Sequence, residues 1–237
     1  MVDPLVETIA LPETIDTTVN GWEAAWDIRE VTSTSTRAAM EGSLSIRFSR
    51  ADGVAQMQIY QDIPMYWQLG VETSVALVCQ DGLLLRPLRW DTHCITRTAQ
   101  GEITETLGAH DAYIDDNMLI FDGLSQTAID LPDAPLTSTW SLLAAFPRIV
   151  ASGESALSFC VLDELLIARP DQRLIAFGAV EFPTAAGPIT LLGYRLLGTG
   201  TAPVHYWVTT DGWPMFICGL RRAFVARSIT PLLDLER

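Results

Sequence analysis

A chain of 237 residues with 49% hydrophobic and only 19% charged residues has ample apolar surface to offset chain entropy, which excludes a disordered protein and implies a generous core or an apolar cavity. Its formal net charge is −14, and all 15 basic residues are arginines. Binding to nucleic-acid phosphates, which runs on clustered positive charge, is therefore disfavoured, and lysine Schiff-base or lysine-nucleophile chemistry is excluded.

In chain order, residues 1–18 (MVDPLVETIALPETIDTT) show no sustained period and read as an arm. They lack the basic start and apolar run of a secretory signal. Nowhere does the chain approach ~18 consecutive apolar residues, so the expectation is a cytoplasmic protein with no transmembrane segment. Trp22 and Trp26, four apart, share a face on a helix and on a strand alike. Residues 42–50 (GSLSIRFSR) set Leu44, Ile46 and Phe48 on one side and Ser43, Ser45, Arg47 and Ser49 on the other, the period of a half-buried strand. Asp52-Gly53 then precedes a second alternating run, 54–60, which is a hairpin signal. The same grammar recurs around Gln80-Asp81-Gly82 (73–79 and 83–88), Gln100-Gly101 (94–98 and 102–107), Asp115-Asp116-Asn117 (112–114 and 118–121) and Asp211-Gly212 (204–209 and 215–218).

One segment breaks the pattern. Residues 136–150 (LTSTWSLLAAFPRIV) predict a short helix behind Thr/Ser caps, ended or kinked by Pro147, and placed to plug a barrel end or carry a crossover. Residues 189–197 (ITLLGYRLL) and 215–220 (MFICGL) are apolar on both faces, as expected of strands sandwiched between layers. Residues 228–237 are left as an unassigned tail. Cys79, Cys94, Cys160 and Cys218 show no metal-ligand spacing and read as free thiols. The expected fold is mainly β: one domain over 1–237, a large antiparallel meander forming a half-open barrel or curled sheet, with one short helix near the middle.

The order of 159–163, the stretch 182–187 (FPTAAG), 194–200 and Tyr206-Trp207-Val208-Thr209-Thr210-Asp211-Gly212-Trp213-Pro214 resembles a family of bacterial envelope proteins of unknown function. The likeness is best in the last third of the chain. It implies a large half-open antiparallel β-barrel, similar in shape to lipid-carrying, lipocalin-like barrels, and it implies no catalytic residues. Members of that family usually carry secretion signals.

Candidate site residues follow from the faces of these strands. His110 would share a face with Ala112 and Ile114 and is a candidate general base or ligand contact; a satisfied core histidine, or a turn residue after Gly108, is the alternative. Asp91 and His93, spaced i, i+2, share a face, so the carboxylate could orient the imidazole; a solvated Arg89/Asp91/His93 stripe is the alternative. Arg86 falls in the apolar stripe Leu84, Arg86, Leu88, Trp90, and Arg195 in Leu191, Gly193, Arg195, Leu197. A buried arginine needs an anion, from the protein or from a ligand. With Tyr66-Trp67, at a loop by Pro64, and Tyr206-Trp207, these residues outline a cavity for an apolar or amphiphilic small molecule, and the arginines motivate an anionic head group. No metal set is read, and Gly198-Thr199-Gly200 lacks the strand–helix context of a dinucleotide site, so no cofactor is expected. Three functions remain open: a small-molecule-binding barrel, a cofactor-free isomerase, cyclase or lyase using His110 or Asp91/His93, and a structural module that binds protein through sheet edges.

Overall fold

The computed structural model describes residues 20–30, 40–66, 69–122, 127–182, 187–220 and 222–232, with the backbone alone at 40, 41, 65, 66, 109, 110 and 127. The expected arm, 1–18, lies outside the described residues. An antiparallel meander runs through β1 (Gly21–Glu30), β2 (Met40–Ala51), β3 (Val54–Tyr66), β4 (Leu69–Gln80), β5 (Arg86–Thr98), β6 (Ile103–Asp115), β7 (Met118–Phe121) and β8 (Thr127–Asp130). β9 (Leu136–Ser138) feeds α1 (Thr139–Ser152), and a second meander follows through β10 (Ala156–Asp163), β11 (Ile167–Phe182), β12 (Ile189–Gly198), β13 (Thr201–Val208), β14 (Pro214–Cys218) and β15 (Arg222–Pro231). β1 pairs with β15, so the two meanders join back to back in one sheet that runs from β8 through β1 and β15 to β9. Its two ends, β8 and β9, do not pair with each other, so the barrel stays open.

Alternation builds the inner face. Trp22, Ala24, Trp26 and Ile28 of β1, Leu44, Ile46 and Phe48 of β2, and Val75, Leu77 and Cys79 of β4 are all buried. The Trp22/Trp26 spacing is therefore that of a strand. Trp26 Nε1 also donates to Pro214 O at 2.9 Å, tying β1 to β14. Asp52 (φ 52) and Gly53 (φ 77) both take left-handed conformations, the geometry a two-residue hairpin needs.

The helix lies inside the sheet. Every residue from Trp140 to Phe146 is buried, and the Phe146 ring meets those of Tyr194 (5.4 Å) and Tyr206 (4.9 Å) on the inner face of β12 and β13. A helix that is apolar all round finds its place only in a core. Arg148 anchors its far end, pairing with Asp81 and donating from Nη1 to Gly82 O (2.6 Å). α1 also performs the expected crossover: β9 and β10 are parallel, and parallel neighbours need such a connection.

Four expectations change. The predicted helix over 136–150 begins as a strand, β9, and becomes helical at Thr139; Ser138 and Ser141 exchange side-chain and backbone bonds in a capping box. Pro147 removes one i→i−4 bond, yet the helix continues to Ser152. The β13–β14 turn closes over it at Gly212 (φ 87), where a Cβ would come 2.5 Å from Pro147 Cα. The predicted strand at 83–88 starts only at Arg86, because Leu85 (φ 51) turns the chain. Residues 228–231 of the expected tail belong to β15 and pair with β1. Finally, the outer face of β12–β14 is covered not by a second layer but by aromatic side chains of the same sheet: Trp207 packs against Phe216 (5.2 Å), Phe182 (6.0 Å) and Phe177 (6.3 Å).

Candidate functional site

Asp91 and His93 lie on the outer face of β5, beside buried Trp90 and Thr92, and with Gln58 and Ser74 they edge a small cleft of about 160 Å³. Their common face is as expected. The role of Asp91, however, is visible in its bonding. β6 carries an extra residue opposite the Trp90–Thr92 step, and Asp111 takes φ 50 there. Asp91 Oδ1 accepts the Asp111 amide at 2.9 Å, satisfying a backbone donor of the irregularity. The same bulge interrupts the alternation from which the orientation of His110 was expected; the His110 side chain lies outside the described residues.

A polar network continues along this face. Tyr60 Oη donates to Glu72 Oε1 (2.8 Å), and Arg97 donates from Nε and Nη2 to Glu72 Oε2 (both 3.1 Å). The hydrogen bond to Glu72, with some desolvation, pushes the Tyr60 hydroxyl up to about 12, while the Tyr60 and Arg97 bonds hold the Glu72 carboxyl below its usual range.

The proposed ligand contacts do not converge. Arg86 stands at the start of β5 and donates to Asp116 O (2.8 Å); the stripe Leu84, Arg86, Leu88, Trp90 does not form, because Leu85, Pro87 and Trp90 are the buried residues here. Trp90 is core, with no acceptor for its Nε1 among the described residues. Tyr206 is core as well, and burial raises its phenol well above the ordinary value. Trp207, its neighbour, points to the opposite, outer face. There Arg195 sits 5.9 Å from the Phe177 ring centre, and His205 lies beside Trp207 (5.8 Å between rings). Arg195 and Trp207 therefore share one patch, while Tyr206 and Trp90 lie behind the sheet. Trp67 lies outside the described residues, as does the side chain of Tyr66, whose backbone pairs with Leu69 at the end of β3.

Two members of the outer patch escaped the sequence reading. Phe177 is 41% exposed and sits at the bulge of β11. Its ring lies where a Cβ on Gly193 would be, 2.3 Å away, so Gly193 in the apolar run 189–197 was the available sign that another side chain crosses there. His205 pairs with Arg195 across β12 and β13; desolvation first, then the Arg195 charge, pulls its pKa below the usual histidine value.

The larger concavity is at the open seam. A cleft of about 570 Å³ lies between the β8 end of the sheet and the start of β11. Ile129, Leu131 and Pro132 form one wall, and Leu166, Ile167 and Pro170 the other. Leu166 and Ile167 are 47% and 53% exposed. Of the residues lining it, only Asp130 is charged. Arg169, between two lining residues, is engaged elsewhere, with Asp163 Oδ2 and Gly200 O, both at 2.7 Å. Among the described residues no His/Cys/Asp/Glu group is placed to hold a metal, and no helix is long and apolar enough to cross a membrane.

No family model and no curated protein matches the chain. Among solved structures, a β-barrel-like protein of a domain of unknown function (DUF1849) from Brucella abortus aligns over 91% of this chain and 99% of its own, at a TM-score of 0.58 and 7% identity. That likeness shows a shared β-barrel-like fold, and it extends over nearly the whole chain, not the last third alone.

Proposed function

We propose that the protein is a binding scaffold whose open seam takes an apolar small molecule. The observation that carries this is the cleft of about 570 Å³ between β8 and β11, a size within the range of small-molecule sites, with apolar walls left exposed where the sheet fails to close. The interior expected to hold the ligand is occupied by α1, so the site moves to the seam. The chemistry of the ligand narrows with it. Arg86 and Arg195, the residues that suggested an anionic head group, are not part of the cleft, and Asp130 is. A neutral ligand, or one with a cationic end, fits. Further parts of the reading are one domain, supported by one continuous sheet, and a cytoplasmic location, supported by four free cysteines. The envelope-barrel resemblance of residues 159–214 supports the carrier-like shape.

The test is binding of the neutral dye Nile red to the full chain, with native mass spectrometry of freshly purified protein. Leu166→Asp with Ile167→Asp is expected to weaken dye binding about tenfold while leaving the fold intact, since both side chains are about half exposed. Dye binding that ignores this double variant, together with a protein that always purifies empty, would end the seam reading.

A further inference from the structure

Besides its two ends, the sheet leaves stretches of β6 and of β11 with a neighbouring strand on one side only among the described residues. β6 runs from Ile103 to Asp115, but β7 pairs only with Tyr113–Asp115. The rest of β6 has β5 on one side and no strand among the described residues on the other. Bulges at Thr104 and opposite Trp90–Thr92 bracket a regular run, 105–109, paired with 92–96. Residues 103–108 are all exposed, with Ile103 at 57% and Leu107 at 54%. The two ends are blunted: β8 is four residues long and is followed by Pro132, while β9 is three residues long, fully buried and bonded from Thr137 Oγ1 to Leu84 O (2.7 Å). Edges are usually protected by shortness, cover, proline or lysine. The run 105–109 has no proline, no lysine and no covering strand among the described residues, although its flanking bulges limit its length.

The charge along this edge has one sign. Between residues 99 and 112 the charged side chains are Glu102, Glu105 and Asp111, with no arginine among them. We infer that the 105–109 edge of β6 is a strand-addition site for an extended basic segment of a partner protein, which would pair its backbone with β6 and set a lysine or arginine against Glu105 and an apolar residue against Leu107. A second copy of this chain is a poor occupant. It would bring Glu102, Glu105 and Asp111, and no basic residue, to meet their like, and each copy carries a net charge of −14. The inference is independent of the seam cleft, which lies between β8 and β11.

The test uses the full chain and three labelled seven-residue peptides: Thr-Val-Thr-Lys-Thr-Val-Thr, which carries lysine and valine two residues apart and so on one face, the same peptide with glutamate for lysine, and the lysine peptide with alternate backbone nitrogens methylated. The lysine peptide is expected to bind weakly and to slow hydrogen exchange at 105–108. The glutamate and methylated peptides are expected to lose that binding. Glu105→Lys should weaken the lysine peptide about tenfold, and Leu166→Asp with Ile167→Asp should not affect it. Equal binding of the methylated peptide would overturn the inference, as would indifference to Glu105→Lys or protection elsewhere. A sedimenting dimer with 105–108 already protected would overturn it in favour of a second copy.

Discussion

The outer faces of β2–β5 and of β11–β14 solve the same problem in opposite ways. On β2–β4 the outward positions include Ser43, Ser45, Arg47 and Ser49, then Gln56 and Gln58, then Ser74, and all of these are exposed or half-exposed. On β11–β14 the outward positions include Phe177, Gly193, Trp207 and Phe216, and aromatic rings cover neighbouring strands. The inside differs too, because the rings that Phe146 of α1 meets, Tyr194 and Tyr206, both belong to the second region. An alternating sequence thus reports where water is, not merely where a strand is.

The sharpest way to break this contrast is Phe146→Ala. Phe146 is wholly buried between the helix and two tyrosine rings, so truncation should cost ~3–5 kcal/mol in urea unfolding. A cost below ~1 kcal/mol would mean that α1 does not hold the second region together. A smaller effect separates the two outer faces. Trp207→Ala, which strips the half-buried centre of the aromatic cover, should cost ~1–2 kcal/mol. Gln58→Ala, at an exposed position of β3, should stay within ~0.5 kcal/mol of zero. Equal values for the pair would erase the distinction.

The same contrast explains what could be read from the sequence. The hairpins at Asp52-Gly53, Gln100-Gly101, Asp115-Asp116-Asn117 and Asp211-Gly212 stand where expected, because turn chemistry is local and polar alternation flanks most of them. The apolar run 189–197 suggested a second layer because nothing local reveals that Phe177, from β11, lies over Gly193. Nor does periodicity reveal bulges: one extra residue in β6 interrupts the alternation on which the expected face of His110 rested, and Leu85 broke the stripe that gave Arg86 its role. The seam cleft was hidden for a related reason. Its two walls lie about 40 residues apart and meet only because the sheet curls.

The subtlest test of the aromatic face is its response to pH. Burial first, and the Arg195 charge second, pull the pKa of His205 below its ordinary 6.5. Between the lowered value and 6.5 the unfolded chain binds a proton that the folded chain does not, so stability falls as pH drops through that window and recovers fully above it. Desolvation raises Asp62 and Glu164, which act with the opposite sign in the carboxylate range, so the histidine contribution is best taken as the difference between the parent chain and His205→Gln. That difference should decline below about pH 6.5, and Arg195→Gln should leave most of it in place, because burial is the larger cause. If Arg195→Gln abolished it, charge and not burial would set the titration. The surface around His205 would then be as wet as that of β2–β4, and the aromatic rings would not be shielding it from water.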